Sequence, residues 1–295
     1  MGLRIRTVVV VLLVVVAGIG IGCYGAWHVL MPAALKPAPP QPVCVARAGA
    51  QTSLEPEQMA NAATIAAVGL RAGLPVRAVH VALATALQES KLRNLSGGDR
   101  DSVGLFQQRP SQGWGEPQQL MDARFAAAAF YAALVKVPGW QAMDVGAAAQ
   151  AVQRSAYPDA YAQWVDRADT LARALSGEAA AAVACTLPAD TSAVDVAPRG
   201  ASAIDALTEG LRADWGSGAQ VVAGPGASEV SVRAADAVTG RRYAYWLVAH
   251  AQAGGVEEVR AGMSRWTATD GRWTSTSGAV SGAAGSVVAR VRRGQ

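Results

Sequence analysis

Apolar residues recur at helical spacing through the first half of this chain and lose that spacing in its last third. Pro56 opens a segment in which Met59, Ala63, Ala66 and Leu70 follow at three- and four-residue intervals, the signature of one helix face. Gly73 stands where a helix-ending glycine belongs. Pro75 opens a second helix, running to about Leu92. The same period continues over residues 123–136, 145–154 and 159–175. Nothing between Cys44 and Cys185 carries a strong strand signal, so an all-α domain over 44–185 is expected. Residues 186–200, rich in Ala, Pro and Thr, read as a linker.

Residues 201–295 differ in texture. They predict a helix over 201–215 and short strands over 229–233, 256–260, 264–268 and 286–291. Tyr243, Trp246, Leu247 and His250 would share one helical face ended by Gly254-Gly255. Aromatic residues suit a strand equally, so that element stays open. The fold class expected is mainly α, with a small α+β domain at the end.

The N-terminus is apolar without interruption. Arg4 and Arg6 precede residues 7–31, which contain no Asp, Glu, Lys or Arg. A run of that length spans a bilayer, and the leading arginines place the N-terminus in the cytoplasm. The expectation is a single-pass anchor in the cell membrane over 1–31, with the rest of the chain extracytoplasmic. A cleaved signal peptide and lipoprotein processing at Cys23 are the rival readings. Gly20-x-Gly22-x-x-Gly25 lies inside this run, outside any strand–helix context, and does not signal a dinucleotide. Pro32, Pro37, Pro39, Pro40 and Pro42 make 32–43 a stiff stalk, about 30 Å long at ~3.1 Å per residue.

Composition narrows the function classes. The 295 residues can hold one large or two modest domains. A net charge of +4 is too small to suggest a nucleic-acid partner. Of the three cysteines, Cys44 and Cys185 fall outside the apolar run. Beyond a membrane an even pair reads as a disulfide, with two free thiols as the alternative. His28, His80 and His250 are not at ligand spacing from another His or Cys. No metal or cofactor is expected.

One carboxylate is conspicuous. The helical stretch Val79-His80-Val81-Ala82-Leu83-Ala84-Thr85-Ala86-Leu87-Gln88 contains no Asp, Glu, Lys or Arg. A helix apolar on every side is packed on every side, so it should run through the domain centre, with His80 a satisfied core histidine. Glu89 follows at the helix C-terminus, where the macrodipole disfavours negative charge. Partial burial acts in the same direction, and a carboxyl group so placed suits a general acid. The rival is a solvated Glu paired with Arg93 one turn on.

Glu89-Ser90, Leu92 and then Gly104-Leu105-Phe106-Gln107 keep an order and spacing that resembles the lysozyme-like superfamily, specifically its soluble lytic transglycosylase branch. The resemblance covers about residues 59–164 and marks a divergent, actinobacterial-type member. Two elements depart from the family pattern. Gly98-Asp99-Arg100-Asp101-Ser102-Val103 replaces the usual Ser-x-x-Gly-Ala. Ala151-Val152-Gln153-Arg154-Ser155-Ala156-Tyr157 takes the place of Tyr-Asn-x-Gly, with Gln153 standing for the Asn.

The resemblance implies a lysozyme-like helical domain that cleaves the β-1,4 bond between amino sugars of peptidoglycan, as a transglycosylase or a muramidase. Glu89 would be its general acid and base. Asp99 and Asp101 are the nearby candidates for a second carboxylate. Ser90, Ser102, Gln107, Gln108, Trp114, Gln153 and Tyr157 are the candidate substrate-binding residues. Tyr161 is a further candidate for stacking on a sugar, and Arg109 for meeting a peptide-stem carboxylate. The implied partners are peptidoglycan glycan strands, with the membrane reached through the N-terminal helix. A wall-binding scaffold that has lost turnover is the competing reading. A third reading gives the function to residues 201–295, as a module for a protein partner.

Overall fold

Val43-Cys44-Val45-Ala46-Arg47-Ala48 alternates in burial as a one-sided strand does. In the computed structural model it forms β1 (Val43–Ala48), with Cys44, Ala46 and Ala48 buried and Arg47 exposed. Gly49, at φ +81°, turns the chain into β2 (Ala50–Leu54), which pairs antiparallel with β1. The far side of β1 pairs antiparallel with β3 (Val183–Thr186), giving a three-stranded sheet in the order β2-β1-β3. The structure describes residues 41–294 except 156, 189–196, 225, 227 and 279–284.

This sheet corrects the all-α expectation for 44–185. Its strands are short and lie at the two extremes of the segment, and β3 is too brief for alternation to be read. Cys44 and Cys185 face each other across β1 and β3 and are joined as a disulfide. A second sheet of six strands reinforces the correction, so the fold is not mainly α.

Between the ends of the small sheet, among the described residues, lie five helices of nine residues or more and one short turn of helix, Pro117–Leu120. α1 (Pro56–Arg71) starts with proline at its first turn and a reciprocal cap between Glu55 and Gln58. Gly73, at φ +72°, closes it as expected. α2 (Val76–Ser90) is buried along nearly its whole length. It packs against α1, α3 (Ala123–Leu134), α4 (Val145–Gln153) and α5 (Val165–Leu175), so it is the central helix the apolar run predicts. Each leucine it buries, such as Leu83 or Leu87, contributes about 1.5–3 kcal/mol. A 3₁₀ segment, Pro158–Trp164, leads into α5.

The last third adds α6 (Gly200–Trp215), β4 (Gln220–Ala223), β5 (Glu229–Arg233), α7 (Ala237–Ala249), β6 (Val256–Ala261), β7 (Ser264–Thr267), β8 (Arg272–Ser275) and β9 (Val287–Val291). Its strands pair antiparallel in the order β4-β5-β9-β6-β7-β8. The open element is a helix: Asp236 accepts a hydrogen bond from the Thr239 amide at 2.8 Å and starts α7. Tyr243, Tyr245 and Trp246 are all buried on it, because α7 packs on α1 and β3 as well as on the large sheet.

Residues 41–295 form one compact unit. Trp266 Nε1 donates to the Cys185 carbonyl at 3.1 Å, and Trp273 Nε1 donates to that of Val183 at 2.7 Å. Asp214, fully buried on α6, accepts from Thr64 of α1, Trp246 of α7 and Arg124 of α3. His250 stacks on Trp246 beside this cluster, with ring centroids 3.9 Å apart.

The membrane-crossing expectation is not met by any described helix: among the described residues none is long and apolar enough to cross a bilayer. The run over 7–31 on which it rests, and the stalk as far as Pro40, lie outside the described residues.

Candidate active site

α2 ends at Ser90, and the chain then leaves through two consecutive residues in the left-handed region, Lys91 (φ 57°) and Leu92 (φ 62°). That tight exit puts Glu89 on the last helical turn, half-buried. Tyr161, from the 3₁₀ segment, donates its hydroxyl to Glu89 Oε1 at 2.6 Å. Tyr161 is itself fully buried. Burial first, and then its bond to Glu89, push its phenol well above the ordinary tyrosine range. It therefore stays protonated and acts as a permanent donor. Among the described residues no other hydrogen bond or ion pair to Glu89 is formed.

Ser90 turns inward. Its Oγ lies 2.7 Å from the Leu105 carbonyl and 3.1 Å from that of Ala86, so it ties α2 to the Gly104-Leu105-Phe106-Gln107 loop. Val103 and Gln108 close that loop with two mutual backbone bonds of 3.1 Å. Gly104 takes φ +78°, and a Cβ there would stand 2.3 Å from the Leu120 carbonyl oxygen. Glycine is needed on both counts. Gln107 also holds a positive φ, 47°, with its amide donating to the Gly104 carbonyl at 3.1 Å. Phe106 is buried and stacks on Phe130 at 4.8 Å. From α4, Gln153 Nε2 donates to the Phe106 carbonyl at 2.8 Å. Glu89, the loop and Gln153 thus form one connected constellation.

The remaining predicted residues divide by exposure. Ser102 and Gln108 are buried. Ser102 Oγ accepts from Arg109 Nε at 3.1 Å, and the Gln108 amide donates to the Ala126 carbonyl at 3.3 Å. Like Ser90, they use their polar groups inside the protein. Tyr157 is 77% exposed. Trp114 is half-buried and lines a groove of about 1010 Å³ together with Gln112, Lys136, Gln153 and Arg154. Glu89 and Gln107 are not among that groove's lining residues.

Both aspartates are committed to their own loop. Asp99 pairs with Arg109 at 2.5 Å. Asp101 accepts from the Ser111 amide at 2.8 Å and from its hydroxyl at 3.0 Å, which holds its carboxyl below the usual range. Arg109, a candidate for a peptide-stem carboxylate or a loop charge, organises this loop. Beside Glu89, the Lys91 ammonium sits 4.3 Å from the centre of the Trp164 ring. Burial lowers its pKa, and the Glu89 charge partly offsets that. His80 bonds to the Val165 carbonyl at 2.8 Å as a core histidine. Among the described residues no His, Cys, Asp and Glu cluster is placed to hold a metal ion.

Tyr161 as partner of the acid, and Lys136 and Arg154 as groove cations, were not legible in the sequence. No local pattern signals a contact between Glu89 and a residue 72 positions later. A scan against protein-family models and a search of curated proteins return no match to this chain.

Proposed function

We propose that this protein cleaves the β-1,4 bond between amino sugars of peptidoglycan glycan strands, with Glu89 as the single general acid and base. The observation that carries the reading is the Tyr161–Glu89 pair. A protonated, buried phenol fixes one carboxyl oxygen at 2.6 Å, and the other has no bonding partner among the described residues. A carboxyl group held on one side and unengaged on the other is oriented for proton transfer.

In the first step the Glu89 carboxyl donates its proton to the glycosidic oxygen as the C1–O bond breaks, and the departing strand leaves as an alcohol. The carboxylate then takes a proton from the oxygen that attacks C1, either a water or the same sugar's 6-hydroxyl. A two-carboxylate glycosidase needs a second acid beside the bond. Asp99 and Asp101 are bound to Arg109 and Ser111, which favours assistance by the substrate's own acetamido group and attack by the 6-hydroxyl.

The test is digestion of purified peptidoglycan by the full chain, with released fragments weighed. The expected products carry an anhydro end, one water lighter than hydrolysis products. Glu89→Gln should lower the rate by about 10²- to 10⁴-fold while the fold is kept. Equal cleavage by both proteins would overturn the reading, and binding without cleavage by either would favour a wall-binding scaffold.

A further inference from the structure

The groove beside Gln153 has a sign. Lys136, just past the end of α3, and Arg154, just past the end of α4, both line it, and its lining contains no Asp or Glu. Both side chains are exposed, and among the described residues neither forms an ion pair. The groove's lining also includes Ala129, Ala132 and Val137. Two like charges on one concave surface, with no opposing carboxylate in its lining, set a positive potential in the groove.

Arg154 adds a second observation. It occupies the left-handed region at φ 51° as the C-cap of α4, a position where glycine or asparagine is conformationally cheaper. The chain accepts that strain at a residue whose side chain lines the groove. Size points the same way. At about 1010 Å³ the groove is at the top of the ~300–1,000 Å³ range of small-molecule sites, room for a short peptide rather than one sugar.

We infer that Lys136 and Arg154 bind the carboxylates of the short acidic peptides attached to the glycan strand. This rests on the glycan-strand reading above. The groove meets the constellation at Gln153, whose amide holds the Phe106 carbonyl. A strand lying against Glu89 would therefore be selected by the peptide it carries. Arg109, the obvious cation by sequence, is neutralised by Asp99.

The experiment uses the full chain carrying Glu89→Gln, so that the ligand is not consumed. Two probes are titrated calorimetrically: the stem tetrapeptide released from peptidoglycan by an amidase, and the glycan strands which that amidase leaves bare. Adding Lys136→Gln with Arg154→Gln should weaken tetrapeptide binding about tenfold, the loss of two exposed charge pairs, and leave bare-strand binding unchanged. Raised salt should weaken the tetrapeptide in the same way. Retention of full tetrapeptide affinity by the double substitution, or no tetrapeptide binding by its parent, would overturn the inference. Failure of the glycan reading would look different: intact peptidoglycan uncleaved by the natural chain and bare strands unbound, whatever the tetrapeptide does. Both substitutions are at exposed positions, and an unchanged melting temperature verifies that the comparison is between folded proteins.

Discussion

Thr64 on α1 donates its hydroxyl proton to Asp214 on α6 across 2.8 Å, although 150 positions separate them. Trp246 Nε1 reaches the same carboxylate oxygen at 2.6 Å, and Arg124 takes the other. One buried carboxylate therefore collects donors from three helices. Asp214→Ala should cost about 2–4 kcal/mol, less than a wholly buried pair would lose, because Arg124 is 37% exposed and can rehydrate. Thr64→Val, removing one neutral donor, should cost about 1 kcal/mol. Urea denaturation measures both. A loss below about 0.5 kcal/mol for Asp214→Ala would show that this cluster does not join the two halves.

Acid should weaken the same junction. His250 packs on Trp246 and faces Thr64, Asp214 and Arg124. Burial pushes its imidazole below the ordinary range, against an opposing pull from Asp214. In the unfolded chain the ring takes its proton near pH ~6.5, and in the folded chain only at lower pH. Between those values the unfolded state binds more protons, so stability falls as pH falls below about 6.5 and is level above it. Urea midpoints between pH 8 and 5 should follow that course. His250→Gln should flatten it, and an unchanged slope would remove His250 as its cause.

Tyr161→Phe separates positioning from proton transfer. The ring stays and the bond to Glu89 is lost. On the reading proposed above, kcat should fall about tenfold with KM unchanged, since the acid loses the contact that orients it. A matching rise in KM would instead point to a distorted groove.

The boundary between what the residues announced and what they hid follows range. α1, α2 and the end of α1 at Gly73 were legible because their causes are local: periodicity, an opening proline, a closing glycine. The centrality of α2 was legible because a helix without charge has no face for water. The three-stranded sheet was hidden because β1 is completed by β3, and the disulfide between them spans 141 positions. At the site, Glu89 stood out through its apolar flank. Ser90 and Gln108 did not reveal that their polar groups point inward, since burial of a loop is decided by what packs over it.

Removing the cross-link tests the sheet that the sequence concealed. Cys44→Ser with Cys185→Ser opens a loop spanning 141 positions and should cost about 2–5 kcal/mol. Thermal unfolding measured with and without reductant should differ for the natural chain and coincide for the double substitution. Two alkylatable thiols at these positions in unreduced protein would refute the bridge.

That cross-link also governs how the molecule bears load. Cys44 lies directly opposite Cys185, so the chain enters and leaves the helical body at one point. Tension applied at residue 41 and resisted from beyond residue 186 passes from Cys44 to Cys185 through a covalent bond. The α1–α5 body, which carries Glu89 at the end of α2, lies off that covalent path. A pull strong enough to peel apart the sheet's hydrogen bonds would still find β1 and β3 held together at that one covalent point.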